Sequence, residues 1–285
     1  MTTTLERSTR PAERAATATH PQTFGRAVRA EWIKIRSLRS TWIGMASVAL
    51  VMIAFGAIAA AASTGSISPE GGPGGGGDPF GGSGPLATVL TGSTFAVLLI
   101  GVLGSLAGAR EYSSRMITAT VAAVPRRWQV VIAKTVALTS VAIPTAAIGV
   151  LGAYGAGMSI LSANDSPTVS LTDDGVLTSL VGMVGYITAI ALLGLGLGIL
   201  LRNTAGSIGA LVGGILILPN IAGALLPDSW DTILRFLPSS AAASFTEVGA
   251  AGGSTLSAGA GVTVLCAWVV VVIGAAVLTI RGKDV

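Results

Sequence analysis

Residues 176–201 read VLTSLVGMVGYITAIALLGLGLGILL, and no Asp, Glu, Lys, Arg or His interrupts them. A helix needs about 20 consecutive apolar residues to cross the hydrocarbon core of a bilayer, and this block exceeds that length. Lipid offers the backbone no hydrogen-bond partner, so a spanning segment is either a helix or a strand of a closed barrel. A barrel strand would alternate lipid-facing and lumen-facing residues over about ten positions. The block does not alternate, so it reads as a helix. Five more blocks of similar length lie at 41–62, 86–108, 134–157, 206–226 and 261–280. Pro144 and Pro219 fall inside two of them, where the missing amide predicts a kink. The whole chain is 51% hydrophobic and 11% charged, against about a quarter charged in soluble domains. The expected fold class is an all-α membrane protein with six transmembrane helices. Residues 24–285 form one transmembrane domain behind a polar stretch, 1–23, that reads as a disordered cytoplasmic tail. No apolar core follows the first residues, so the start does not read as a secretory signal.

The basic residues orient the expected bundle. Eight lie ahead of the first span, from Arg7 to Arg39. Arg110, Arg115, Arg126, Arg127 and Lys134 lie in or beside the connection between spans two and three. Arg202 joins spans four and five, and Arg281 and Lys283 follow span six. With six spans, all of these fall on one side and only Arg235 on the other. Lys and Arg accumulate on the cytoplasmic side of membrane proteins, so both termini are expected in the cytoplasm.

The segment ahead of the first span has a helical pattern of its own. Phe24, Val28, Trp32, Ile35 and Leu38 recur at steps of three and four, which makes one apolar stripe. Arg26, Arg29, Lys34 and Arg36 fall mostly on the other side, while Glu31 and Arg39 lie nearer the stripe. This pattern predicts an amphipathic helix lying in the membrane interface, its bases toward anionic lipid headgroups. On the opposite side of the membrane, residues 63–85 include the flexible run GGPGGGGDPFGGSGP. Residues 158–175 form a polar loop with Asp165, Asp173 and Asp174. Residues 227–260 are semi-apolar, with Trp230, Phe236, Leu237 and Phe245. They read equally as two short helices at the outer surface or as a loop with interfacial aromatics.

Within the spans, Gly104 and Gly108, Gly194 and Gly198, and Gly209 and Gly213 form pairs four residues apart. Such pairs let helix backbones approach closely, without identifying which faces meet.

No feature of the chain points to catalysis, a resident cofactor or a metal. The span interiors carry no ionisable groups of the kind that ion-coupled transporters place near the midplane. Cys266 is the only cysteine and His20 the only histidine, so neither a disulfide, a cysteine metal site nor a Ser–His pair can be assembled. A phosphate-binding loop needs GxxxxGK[ST]. Of Lys34, Lys134 and Lys283 only the last follows a glycine, and Asp284 comes next with no glycine upstream. The chain therefore reads as no enzyme and no ATP-binding protein in itself.

The connection between spans two and three reads AREYSSRMITATVAAVPRRWQVVIAK from Ala109 to Lys134. It is too apolar for a solvated loop and too charged for a span. Met116, Ala119, Thr120 and Ala123 share one possible helical face, and Pro125 ends that helix. A short exposed helix of this kind suits docking in a groove of another protein.

This segment resembles the coupling region of type-2 ABC transporter permeases. The resemblance rests on Glu111, Tyr112, Ile117, Thr118, Pro125, Arg126, Arg127, Ala133 and Lys134. Arg115-Met116 stands where that family has Gly-Thr. The layout is similar throughout the chain: a basic amphipathic opening (AEWIKIRSLRST), six spans and a semi-apolar outer segment before the last. The resemblance implies a permease subunit of an ATP-driven exporter in a bacterial cell membrane. It implies a second permease chain forming a homodimer, and cytosolic ABC ATPase subunits that carry the ATP and Mg. Glu111, Tyr112, Arg115, Ile117, Thr118, Pro125, Arg126 and Arg127 would carry the ATPase coupling. Arg126 and Arg127 would meet either acidic ATPase residues or lipid phosphates. The interfacial helix, through Phe24, Val28, Glu31, Trp32, Ile35 and Arg36, would make the second contact. Uncharged spans suit a hydrophobic or amphiphilic cargo, and no nucleic-acid partner is implied. A non-transporting scaffold that recruits a cytosolic partner through the same loop is the alternative.

Overall fold

The computed structural model describes residues 23–65, 84–113, 128–247 and 256–282. Among them there is no strand, and six helices are long and apolar enough to cross a membrane. The protein is an all-α, multi-pass membrane protein. Helix α1 spans Phe24–Ser37. The first span is α2, Arg39–Ser63, separated from α1 only by the extended residue Leu38. The second expected span is divided. A short helix α3, Pro85–Val89, turns at residues 90–92 into α4, Ser93–Ser113. A Cβ on Gly92 would overlap the Met52 carbonyl, so the turn seats directly on the α2 backbone.

Helix α5 spans Trp128–Ala163, 36 residues. At 1.5 Å per residue it is about 54 Å long, well beyond the ~30 Å hydrocarbon core. It runs through Pro144 without a break. That proline faces outward, so the carbonyl it leaves unbonded lies outside the packed core. Helix α6 spans Val176–Leu201. The polar loop ahead of it is pinned by the Tyr154 hydroxyl, which donates to the Val169 carbonyl at 2.7 Å. The fifth span is α7, Thr204–Val212, then a π-helical turn, Gly213–Ile217, then α8, Leu218–Leu225. Pro219 comes two residues after the π turn, in which the backbone bonds step from i→i+4 to i→i+5. The two prolines expected to kink their helices are thus accommodated differently. Between the fourth and fifth spans, Arg202 adopts φ 53°, and the Asn203 side chain accepts from the Ala205 and Gly206 amides. A cap of that kind starts a new helix within two residues of the old one.

The semi-apolar segment after the fifth span contains a short helix α9, Asp231–Leu234, and a nine-residue helix α10, Pro238–Thr246. The last span is α11, Ala258–Gly282. Helix α10 buries Pro238, Ala241, Ala242, Phe245 and Thr246. Phe245 would clash with a Cβ at Gly182 of α6, and Ala241 with one at Gly261 of α11. The Phe236 carbonyl accepts from Trp268 Nε1 at 2.9 Å. Trp268 lies ten residues into α11, about 15 Å along the helix. The chain therefore runs beside α11 to Phe236 and returns through α10, whose inner face is buried against α6 and α11.

Helix α6 is the hub. Sixty-one per cent of its most apolar window is buried, against 17% for the fifth span and 22% for the last. It packs on α4, α5, α10 and α11. Its crossing with α4 is backbone on backbone: a Cβ on Gly104 would meet the Ala191 carbonyl, one on Gly108 that of Leu195, and one on Gly194 that of Gly101. The first two glycine pairs read from the sequence thus mesh with each other. The third pair, Gly209 and Gly213 on the fifth span, has nothing within 4 Å of either position.

Candidate functional site

Among the described residues, a group of buried charges joins α1 to α5. Glu31 is 5% exposed and Lys134 9%. Lys134 Nζ donates to Glu31 Oε2 at 2.8 Å, and Lys34 Nζ donates to Oε1 at 2.6 Å. Each carboxylate oxygen therefore holds one ammonium. Lys34 reaches Glu31 from the same helix, because residues three apart share a helix face. Lys34 keeps 42% of its side chain exposed, so solvent screens it, whereas the Glu31–Lys134 pair is shielded. Removing one member of a buried pair leaves an uncompensated charge, which costs far more than the pair contributes when intact. The contact therefore fixes where α1 sits against α5.

Local sequence explains the geometry. Glu31 lies near the apolar stripe of α1, on the face that also buries Ala27 and half-buries Val28 and Ile35. That face packs on α5. Phe24, Trp32, Ile33 and Arg36 are exposed. The stripe is thus split in use: its centre holds α5 and its edges are open. On the far side of the clasp, Val130, Val131 and Ala133 bury the opening turns of α5.

This arrangement borders the segment that resembles a coupling region. Glu111 and Tyr112 belong to the last turn of α4, Ser93–Ser113. Arg115, Ile117, Thr118, Pro125, Arg126 and Arg127, with the docking helix expected around them, lie outside the described residues. Lys134 stands seven positions beyond Arg127 and six into α5. The chain leaving the segment is thus anchored to α1 almost as soon as it becomes helical. The structure brings together Glu31 from the expected interfacial helix and Lys134 from the motif, which sequence reasoning had treated separately. The usable signal was a carboxylate beside an apolar stripe, since a carboxylate there needs a buried cation.

Among the described residues no cluster of His, Cys, Asp or Glu could hold a metal ion. Compared with known proteins, the chain matches no family model and no curated sequence.

Proposed function

We propose that this chain is the membrane-spanning subunit of an ATP-driven exporter of the type-2 ABC permease kind. The observation that carries the reading is the Glu31–Lys134 clasp. It ties the basic amphipathic helix to the helix that leaves the coupling-like segment, so a force applied at either reaches the bundle through a packed, shielded contact. Coupling of that sort needs a contiguous element that two sites can both bias. The motor is a separate cytosolic ATPase with its own ATP and Mg, because the chain has no phosphate-binding loop.

The basic residues support an orientation with both termini in the cytoplasm of a bacterial cell, with α1 against the inner headgroups. The fifth span supports a second copy of the chain as partner. It is the least buried span, and its Gly209 and Gly213 present an unoccupied small-residue face. The apolar character of the spans supports a hydrophobic or amphiphilic cargo.

Affinity purification of the tagged chain from its native membrane tests the reading. The proposal expects an ATPase with a phosphate-binding loop to co-elute, and Glu111→Ala with Pro125→Ala to reduce its recovery. Membranes that yield the folded chain with no ATPase, and transport that survives both substitutions, contradict it.

A further inference from the structure

A cavity of about 430 Å³ opens between α4, α6, the fifth span and α10. Its volume falls in the range that holds a small organic ligand, about 300–1,000 Å³. One wall is apolar: Val97 and Leu98 from α4, and Ile215, Leu216 and Pro219 from the fifth span. The rest is polar and carries no cation. Ser93 and Thr94 come from the first turn of α4, Asn220 from α8, and Ser239 and Ser240 from the first turn of α10, with Glu247 closing the far end. Because α10 packs on α6 and α11, this polar lining sits among spans that otherwise present lipid-like surface.

Three features give the cavity a chemical direction. The first is charge. Glu247 is exposed and is the C-cap of α10, so its carboxylate adds to the partial negative charge of that helix end. The second is the acceptors. Asn220 Nδ2 donates to the Leu216 carbonyl at 2.6 Å, which leaves its side-chain oxygen available to accept. The third lies at the other end of α10. The cap residue Leu237 has no side chain to bond the first amides, and Pro238 has none to offer. The Ser239 hydroxyl there is shut off from solvent with no hydrogen-bond partner among the described residues. A ligand oxygen that drew this hydroxyl round would recover the cost of leaving it unpaired. The ends of α10 thus suit opposite functions: a cation beside Glu247, an oxygen beside Ser239 and Ser240, and an apolar body between them.

We infer that this cavity is a binding site for a cationic amphiphile, a protonated amine on an apolar body of modest size. The inference needs only the cavity. It holds for an exporter, whose cargo would enter or leave here, and equally for a protein that transports nothing. Binding is therefore measured on the full chain alone, in lipid nanodiscs without ATPase, which separates this inference from the exporter reading.

The probes are dodecylamine, dodecanol and dodecanoate, titrated by calorimetry against loaded and empty nanodiscs. The site predicts saturable binding of dodecylamine at one per chain, about tenfold tighter than dodecanoate. Glu247→Gln should bring the amine down to the level of the alcohol and leave the alcohol unchanged. Glu247 is exposed, so the fold should tolerate that change. Ser240→Leu should weaken all three by filling the cavity, and Thr94→Leu does the same from the opposite wall should the first variant fail to fold. Uptake equal to that of empty nanodiscs, dodecanoate as tight as dodecylamine, or amine binding indifferent to Glu247→Gln each overturn the inference.

Discussion

Glu31 illustrates what one residue can settle. It interrupts the apolar stripe of α1, and both of its oxygens are bonded to lysines. With Lys134 also shielded, Glu31→Gln should destabilise the protein by about 3 kcal/mol, because the buried ion pair between α1 and α5 loses its carboxylate. Lys134→Met should cost a similar amount. The double variant Glu31→Gln/Lys134→Met should cost less than the sum of the two single losses, since the interaction between the two side chains can be lost only once. Thermal unfolding in detergent, read as a double-mutant cycle, checks this. Simple additivity of the two losses would mean that the residues do not act as a unit. The sequence announced half of this site: the misplaced carboxylate was visible, but its partner is 103 positions away, and no periodicity links residues so distant.

Elements were more legible than the contacts between them. Six apolar blocks set the six spans because their length against the bilayer is a one-dimensional property. The division of the second span was not visible, because the seat of the break, Gly92 against the α2 backbone, is a contact between elements distant in sequence. The glycine pairs make the same point. All three looked alike in sequence, yet two mesh and one faces outward. Gly104→Leu should therefore force α4 and α6 apart and destabilise the bundle by about 2–3 kcal/mol, whereas Gly209→Leu should leave the melting temperature of the isolated chain within a degree or two. If the fifth span faces a second copy, Gly209→Leu should convert the dimer to monomer in size-exclusion chromatography coupled to light scattering. An unchanged mass would remove that face from the dimer proposal. The segment after the fifth span, open to two readings in sequence, holds a buried nine-residue helix that returns along α11. Its small residue Ala241 signals close packing only once Gly261 is known to lie against it.

At the scale of the whole molecule, burial falls from the hub α6 to the fifth and last spans. The bundle therefore has a packed side and an open side. The cavity lies where the fifth span meets the hub and α10, so any partner that moved the fifth span would change the cavity's shape. Charge alone gave the expected orientation, because the positive-inside tendency depends on loop composition and not on packing. The cavity was not legible, since its serines, Asn220 and Glu247 are scattered over three elements and none is unusual where it stands. The account as a whole rests on an external motor gripping the segment between α4 and α5. The most direct test is a cross-link from that segment. Cys266 is the only native cysteine, so Thr118→Cys in a Cys266→Ser background places a single thiol in the coupling-like region. With a photoactivatable maleimide in native membranes, the account predicts a covalent adduct between this chain and a cytosolic ATPase, diminished by Glu31→Gln. A folded, labelled chain that yields no ATPase adduct would contradict it.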